Sequence, residues 1–221
     1  MLAGLATWQR QLSTDRVRLS DYSWAAMKYE PSPQEPRSGS ELIAGSTLLC
    51  RFWSWAYSDL RNNVERGVFA EFLVGMALGS ISGVRESWDA WDLLTSTGIK
   101  VEVKSAAYLQ SWPTEKLSAI GFGGLRGRAW SPEDGYAAER TYRADVYVFA
   151  LLTCTRHATL DPLAADQWEF YVASRAAVAA ADARRLALSR VKEIANGPVT
   201  WADLADAVNA AARDAGGSGI A

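Results

Sequence analysis

One run constrains the fold more than any other: ADVYVFALL, residues 144–152. It is apolar at nearly every position and reads as a buried strand, which other elements must cover. WEFYV, residues 168–172, reads as a second buried strand. Two more are expected over residues 86–94 and 99–106, joined by Thr95-Ser96-Thr97-Gly98, a loop whose composition suits a hairpin. Apolar spacing and capping residues predict helices over residues 48–60 (after Ser46 or Thr47), 64–79 (after Asn62 or Asn63), 109–120, 176–188 and 201–213 (after Thr200). Residues 121–128, GFGGLRGR, read as a flexible basic loop, and residues 31–45, with three Pro, as an exposed arm. A central mixed sheet flanked by helices is the natural way to bury these faces, so the fold class is α/β. The 49% hydrophobic fraction is enough for such a core.

Composition narrows the chemistry. With one His among 221 residues, a multi-histidine zinc site is excluded. Cys50 and Cys154 form no CxxC pair, sit in apolar runs and read as inert core residues. The formal net charge of -2 argues against a strongly basic, non-specific DNA binder. No apolar run is long enough for a membrane-spanning helix, the first residues do not read as a signal peptide, and a cytoplasmic protein is expected.

The chemistry-bearing stretch is residues 88–112, WDAWDLLTSTGIKVEVKSAAYLQSW. Alternation along a strand sends Ile99, Val101 and Val103 to one face and Lys100, Glu102 and Lys104 to the other. The hairpin brings Asp92 alongside, so two carboxylates and an ammonium converge. Such a cluster suits a hard divalent cation, which needs only one or two protein carboxylates. Glu71, among Gly67, Val68, Val74, Gly75 and Leu78 at helical spacing, reads as an inward-facing carboxylate that needs a metal or an ion-pair partner, Arg66 or Arg85. Asp89 competes with Asp92 for the metal role.

These residues resemble the PD-(D/E)XK nuclease superfamily: Asp92, nine intervening residues, then Glu102-Val103-Lys104, behind a helix carrying Glu71. The resemblance covers residues 62–172 and implies a restriction endonuclease-like αβββαβ core with extra N- and C-terminal helices. It implies Mg2+ (or Mn2+) held by Asp92, Glu102 and Glu71, and Lys104 assisting the attacking water. Gln110 loosely matches a Gln that often follows the motif and joins the candidate catalytic set. Trp91 stands where the family's Pro would be.

The expected organisation is an arm and helix over residues 1–60, a nuclease core over 61–175 and a helical extension packed on it over 176–221. The expected function is metal-dependent hydrolysis of DNA phosphodiesters, by a possible homodimer or with a protein partner in a restriction or defence system. The alternative is an inactive module of the same fold that binds nucleic acid or a protein. Arg126 and Arg128 are candidate phosphate contacts, weighed against solvated loop charges. Trp53, Trp55, Trp88, Trp91 and Trp112 are candidate base-stacking residues, weighed against packing roles. His157 and Asp161 read as a surface turn.

Overall fold

In chain order, a small hairpin of β1 (Leu42–Ile43) and β2 (Thr47–Leu48) leads into α1 (Leu49–Tyr57) and α2 (Asn63–Ala77) in the computed structural model. Then come β3 (Leu93–Leu94), β4 (Lys100–Ala107), β5 (Gly121–Gly123), β6 (Trp130–Ser131), β7 (Gly135–Tyr136), β8 (Val146–Leu152) and β9 (Trp168–Ser174). The chain continues through α3 (Arg175–Ala180), β10 (Arg185–Ala187), α4 (Leu188–Ile194), β11 (Asn196–Val199) and α5 (Leu204–Gly216). The structure describes residues 35–87, 89–128, 130–131 and 135–216. The readings of the first residues, of Trp88 and of the start of the arm lie outside these.

Five strands form one mixed sheet in the order β11-β9-β8-β4-β3. β4 and β8 run parallel, in register from Val101 opposite Val146 to Ala107 opposite Leu152. The other neighbours are antiparallel. All seven residues of β8 are buried, as its sequence demands, because both faces of the sheet are covered. Val146, Val148, Ala150 and Leu152 meet Ala70, Leu73 and Val74 of α2 and Leu204, Val208 and Ala211 of α5. Tyr147, Phe149 and Leu151 meet Phe122 of β5, Val178 of α3, Leu186 of β10 and Val191 of α4. The α/β class therefore holds: helices flank a five-stranded mixed sheet.

The strand hairpin forms where the loop composition places it, with Leu93 opposite Val101 and Leu94 opposite Lys100. Its first strand is much shorter than expected, two residues in place of nine. α2 starts as its caps predict: the Asn62 side chain accepts a hydrogen bond from the Val64 amide. Asn62→Ala is expected to lower stability by about 1 kcal/mol in a urea melt, the usual cost of a lost cap.

Elsewhere local pattern misleads. Residues 109–120 form no helix; Pro113 and the polar residues around it leave no apolar stripe to bury. Among the described residues, the crossover from β4 to β8 carries β5 to β7 and no helix, so the helix of the expected αβββαβ order is missing there. The basic loop is partly strand, since β5 pairs antiparallel with β10. The Ala-rich helix stops at Ala180, and Arg185–Ala187 becomes β10 because Leu186 fills the core beneath β5. β11 is a strand despite its Gly-Pro, which a sheet edge tolerates. A side chain on Gly197 would strike the Phe170 carbonyl at 2.7 Å, so glycine lets this edge close onto β9. Part of the expected arm is ordered, with the Glu41 carboxylate accepting from the Ser38 and Gly39 amides. Cys50 is exposed and Cys154 half-buried, so neither is a core residue.

Candidate functional site

β4 positions the central pair. Its alternation sends Val101 and Val103 into the core under α2, while Glu102 and Lys104 share the opposite face with buried Ala106. The Lys104 Nζ lies 2.5 Å from Glu102 Oε1, and the two side chains are only 23% and 16% exposed. Behind them, buried Tyr147 stands opposite Glu102 on β8 and donates its hydroxyl to the Leu125 carbonyl at 3.1 Å. Burial, then the Glu102 charge, push its phenol above the ordinary range.

Asp92 joins through two backbone bonds. Its amide donates to the Val101 carbonyl (3.1 Å), and its Oδ2 accepts from the Val103 amide (2.7 Å). The aspartate therefore brackets Glu102 along the edge of β4. Asp89, the competing carboxylate, is exposed. Trp91 packs beneath the Lys100 ammonium, 4.3 Å from its ring centre.

Electrostatics tie the group together. Burial, then the Glu102 and Glu71 charges, lift the Asp92 carboxyl to about 7, against the pull of Lys104. Burial also raises Glu102, opposed by the Lys104 ammonium beside it. Burial pulls Lys104 down, but Glu102, Asp92 and Glu71 together outweigh it and hold the ammonium above its ordinary range. Lys104 is accordingly a cation at neutral pH.

Glu71 is as buried as the pair, its side chain 13% exposed. Arg85 grips it bidentately, Nε to Oε2 at 2.5 Å and Nη2 to Oε1 at 2.8 Å, and donates Nη1 to the Ser87 hydroxyl. This is one of the two ion-pair partners its sequence position suggested. Glu71, Arg85, Asp89 and Asp92 line a cleft of about 370 Å3. The expected inward stripe holds in part: α2 buries Val74 and Gly75 along with Arg66, Ala70 and Leu73, and Leu78 packs against the core, while Val68 is exposed. Gly67 meets nothing, whereas a side chain on Gly75 would collide with Ile81 and crowd Leu93.

The other candidates lie apart. Gln110 is 8% exposed and donates to the Ala107 carbonyl and the Ser118 hydroxyl, in a second cavity beyond the end of β4. Arg126 pairs with Asp182 and stacks on Tyr142, so its guanidinium is engaged; Arg128 is exposed. Trp55 and Trp112 are well exposed and Trp53 less so, while Trp168 and Trp201 donate to backbone carbonyls. His157 is an exposed turn residue. The buried arginine, Arg66, was missed by the sequence reading. Its signal was present, since position 66 falls on the same helical face as Ala70, Leu73 and Val74.

Among the described residues, no three His, Cys, Asp or Glu side chains converge as a metal-holding group. Nor is any helix among them long and apolar enough to cross a membrane. No protein-family model and no curated protein matches the chain.

Proposed function

We propose that the chain is a metal-dependent nuclease that hydrolyses DNA phosphodiester bonds. One observation carries this reading: Asp92, Glu102 and Lys104 are held together, half-buried, on the edge and one face of β4. Burial, then the neighbouring Glu102 charge, raises the Asp92 carboxyl, a cost that a divalent cation would relieve. Asp92 and Glu102 fit Mg2+ or Mn2+, which takes oxygen ligands, keeps several waters and needs only one or two carboxylates. Glu71 would join them once Arg85 releases it. When bound, such an ion stabilises charge on a phosphate and lowers the pKa of a coordinated water.

The protein's own contribution is positional. Val103 fixes the Asp92 carboxylate, and Glu102 fixes Lys104. Lys104, kept protonated, orients a water and offsets negative charge growing on the phosphate, and does not act as the base. α2 with the strands from β3 to β9 is read as a variant of the restriction endonuclease-like core that lacks the helix between β4 and β8. Gln110 falls outside the reacting group in this reading, and Arg128 is the remaining loop contact for DNA. Two copies would be needed for concerted double-strand cleavage by one site per chain.

The test is incubation of the purified chain with supercoiled plasmid and Mg2+ or Mn2+. Nicked or linear product is expected with metal and none in EDTA; intact plasmid under both conditions refutes hydrolysis.

The alternative is an inactive module of the same kind, binding nucleic acid or a protein. It is favoured by the protein cations already on the carboxylates, Arg85 on Glu71 and Lys104 on Glu102. Calorimetry separates the two: no heat of Mg2+ or Mn2+ binding, with DNA or protein association retained, selects the inactive module.

A further inference from the structure

At the C-terminal end of β4 lies a second cavity, about 470 Å3, lined by Asn63, Arg66, Ser105, Gln110, Trp112 and Arg185 among others. Two of its side chains are buried with unmet hydrogen-bonding capacity. Arg66 is 4% exposed. Its Nη1 donates to the Arg61 carbonyl (2.9 Å) and its Nη2 to Asn63 Oδ1 (2.6 Å), but its Nε has no partner among the described residues. Gln110 uses its amide nitrogen as a donor, and its Oε1 has no partner among the described residues. No ion pair among the described residues includes Arg66 or Arg185.

A buried guanidinium without a carboxylate is costly, and burial pulls the Arg66 guanidinium below its ordinary range. An anion in the cavity would remove that cost. The cavity also faces the N-terminal turn of the fifteen-residue α2, where backbone amides and the helix dipole favour negative charge. Two arginines suit the oxygens of a phosphate. Half-exposed Trp112 on the rim offers a flat apolar face for a base. The unmet Gln110 oxygen needs a donor, which an exocyclic amine or a sugar hydroxyl supplies.

We propose that this cavity is a nucleotide subsite, with a phosphate on Arg66 and Arg185 and the attached base against Trp112. Ser105 follows Lys104 directly, and Ala107 lies roughly 10 Å beyond Lys104 along the strand. The nucleotide is therefore the end of a strand whose neighbouring phosphodiester reaches the carboxylate–lysine group. That last step rests on the nuclease reading, while the subsite itself does not.

The test is isothermal titration of the full chain, in EDTA, with deoxyadenosine monophosphate, deoxyadenosine and inorganic phosphate. The monophosphate should bind one-to-one, and deoxyadenosine about tenfold more weakly or worse. Arg185→Gln, at an exposed position that does not threaten folding, should weaken the monophosphate about tenfold, and Arg66→Lys likewise. Trp112→Ala should weaken the monophosphate and leave inorganic phosphate unchanged. Inorganic phosphate binding as tightly as the monophosphate assigns the site to free phosphate and overturns the nucleotide. No binding of the monophosphate, or binding unchanged by Arg185→Gln, overturns the subsite. Nothing is cut in EDTA, so a chain that binds the monophosphate but fails to cut plasmid with Mg2+ refutes hydrolysis alone.

Discussion

Lys104→Met is expected to lower plasmid cleavage by roughly 10²–10³-fold, the usual cost of removing one preorganised charge or donor from a reacting centre. Methionine keeps most of the side-chain length and removes the ammonium. The substitution leaves Glu102 without its 2.5 Å partner, so some stability is lost as well. Glu102→Gln is the matching variant, and Glu102→Gln with Lys104→Met removes both charges together. If the pair is the reacting group, each single variant shows a loss of this size and the double variant is no worse, because residues acting as a unit are not additive. Far-ultraviolet circular dichroism and a thermal melt establish that each variant is folded. Cleavage retained within a few-fold in a folded Lys104→Met or Glu102→Gln chain removes the nuclease assignment.

Asp92→Asn is expected to stabilise the metal-free protein at pH 8 while abolishing activity. Asp92 has its carboxyl raised to about 7 in the folded chain, by burial first and by the Glu102 charge second. An unfolded aspartic acid titrates near 3.9. Between these values the folded state keeps a proton that the unfolded state releases, so stability falls as pH rises through the window and is level above it. The penalty at pH 8 is on the order of 2–4 kcal/mol. Asparagine carries no charge, and its oxygen still accepts the Val103 amide. Urea melts in EDTA should therefore show Asp92→Asn more stable than the parent at pH 8, with the difference shrinking toward pH 5. A variant less stable than the parent at pH 8 contradicts the raised carboxyl. Stability gained together with activity lost is the expected behaviour of a charge kept for chemistry at a structural cost.

How far these residues were legible in the sequence depends on the range of the force that places them. Strand alternation is local, so the separation of Val101 and Val103 from Glu102 and Lys104 follows from spacing alone and is found in the fold. The hairpin is also local, with Gly98 at φ +85° closing the loop that brings Asp92 to β4. Which aspartate docks was not settled by spacing. The Asp92 bond to the Val103 amide decides it, at a residue beyond the two, Val101 and Lys100, that β3 pairs with. Glu71 carried helical periodicity, and of the stripe expected around it Val74 and Gly75 are buried while Val68 is exposed. The buried stripe runs through Arg66 and Ala70, and Glu71 falls at the flank, within reach of Arg85, fourteen residues later. Residues 185–187, helical by local pattern, are a strand because long-range packing under β5 overrode that pattern.

The opening run, residues 144–152, by itself determined that a sheet must lie between two apolar layers, because a strand apolar on both faces has no face to give to water. With the two periodicities it also determined α2, the hairpin and the pairing of Glu102 with Lys104, since each depends on neighbours a few residues away. Only the tertiary structure decided that β4 and β8 lie side by side and parallel, that β11 closes the sheet edge, and that Arg66 lies in a cavity beside Gln110 with no ion-pair partner among the described residues. Those outcomes depend on which buried surfaces meet across long stretches of chain, and the free energy that selects among them is collective, shared by side chains with no fixed spacing between them.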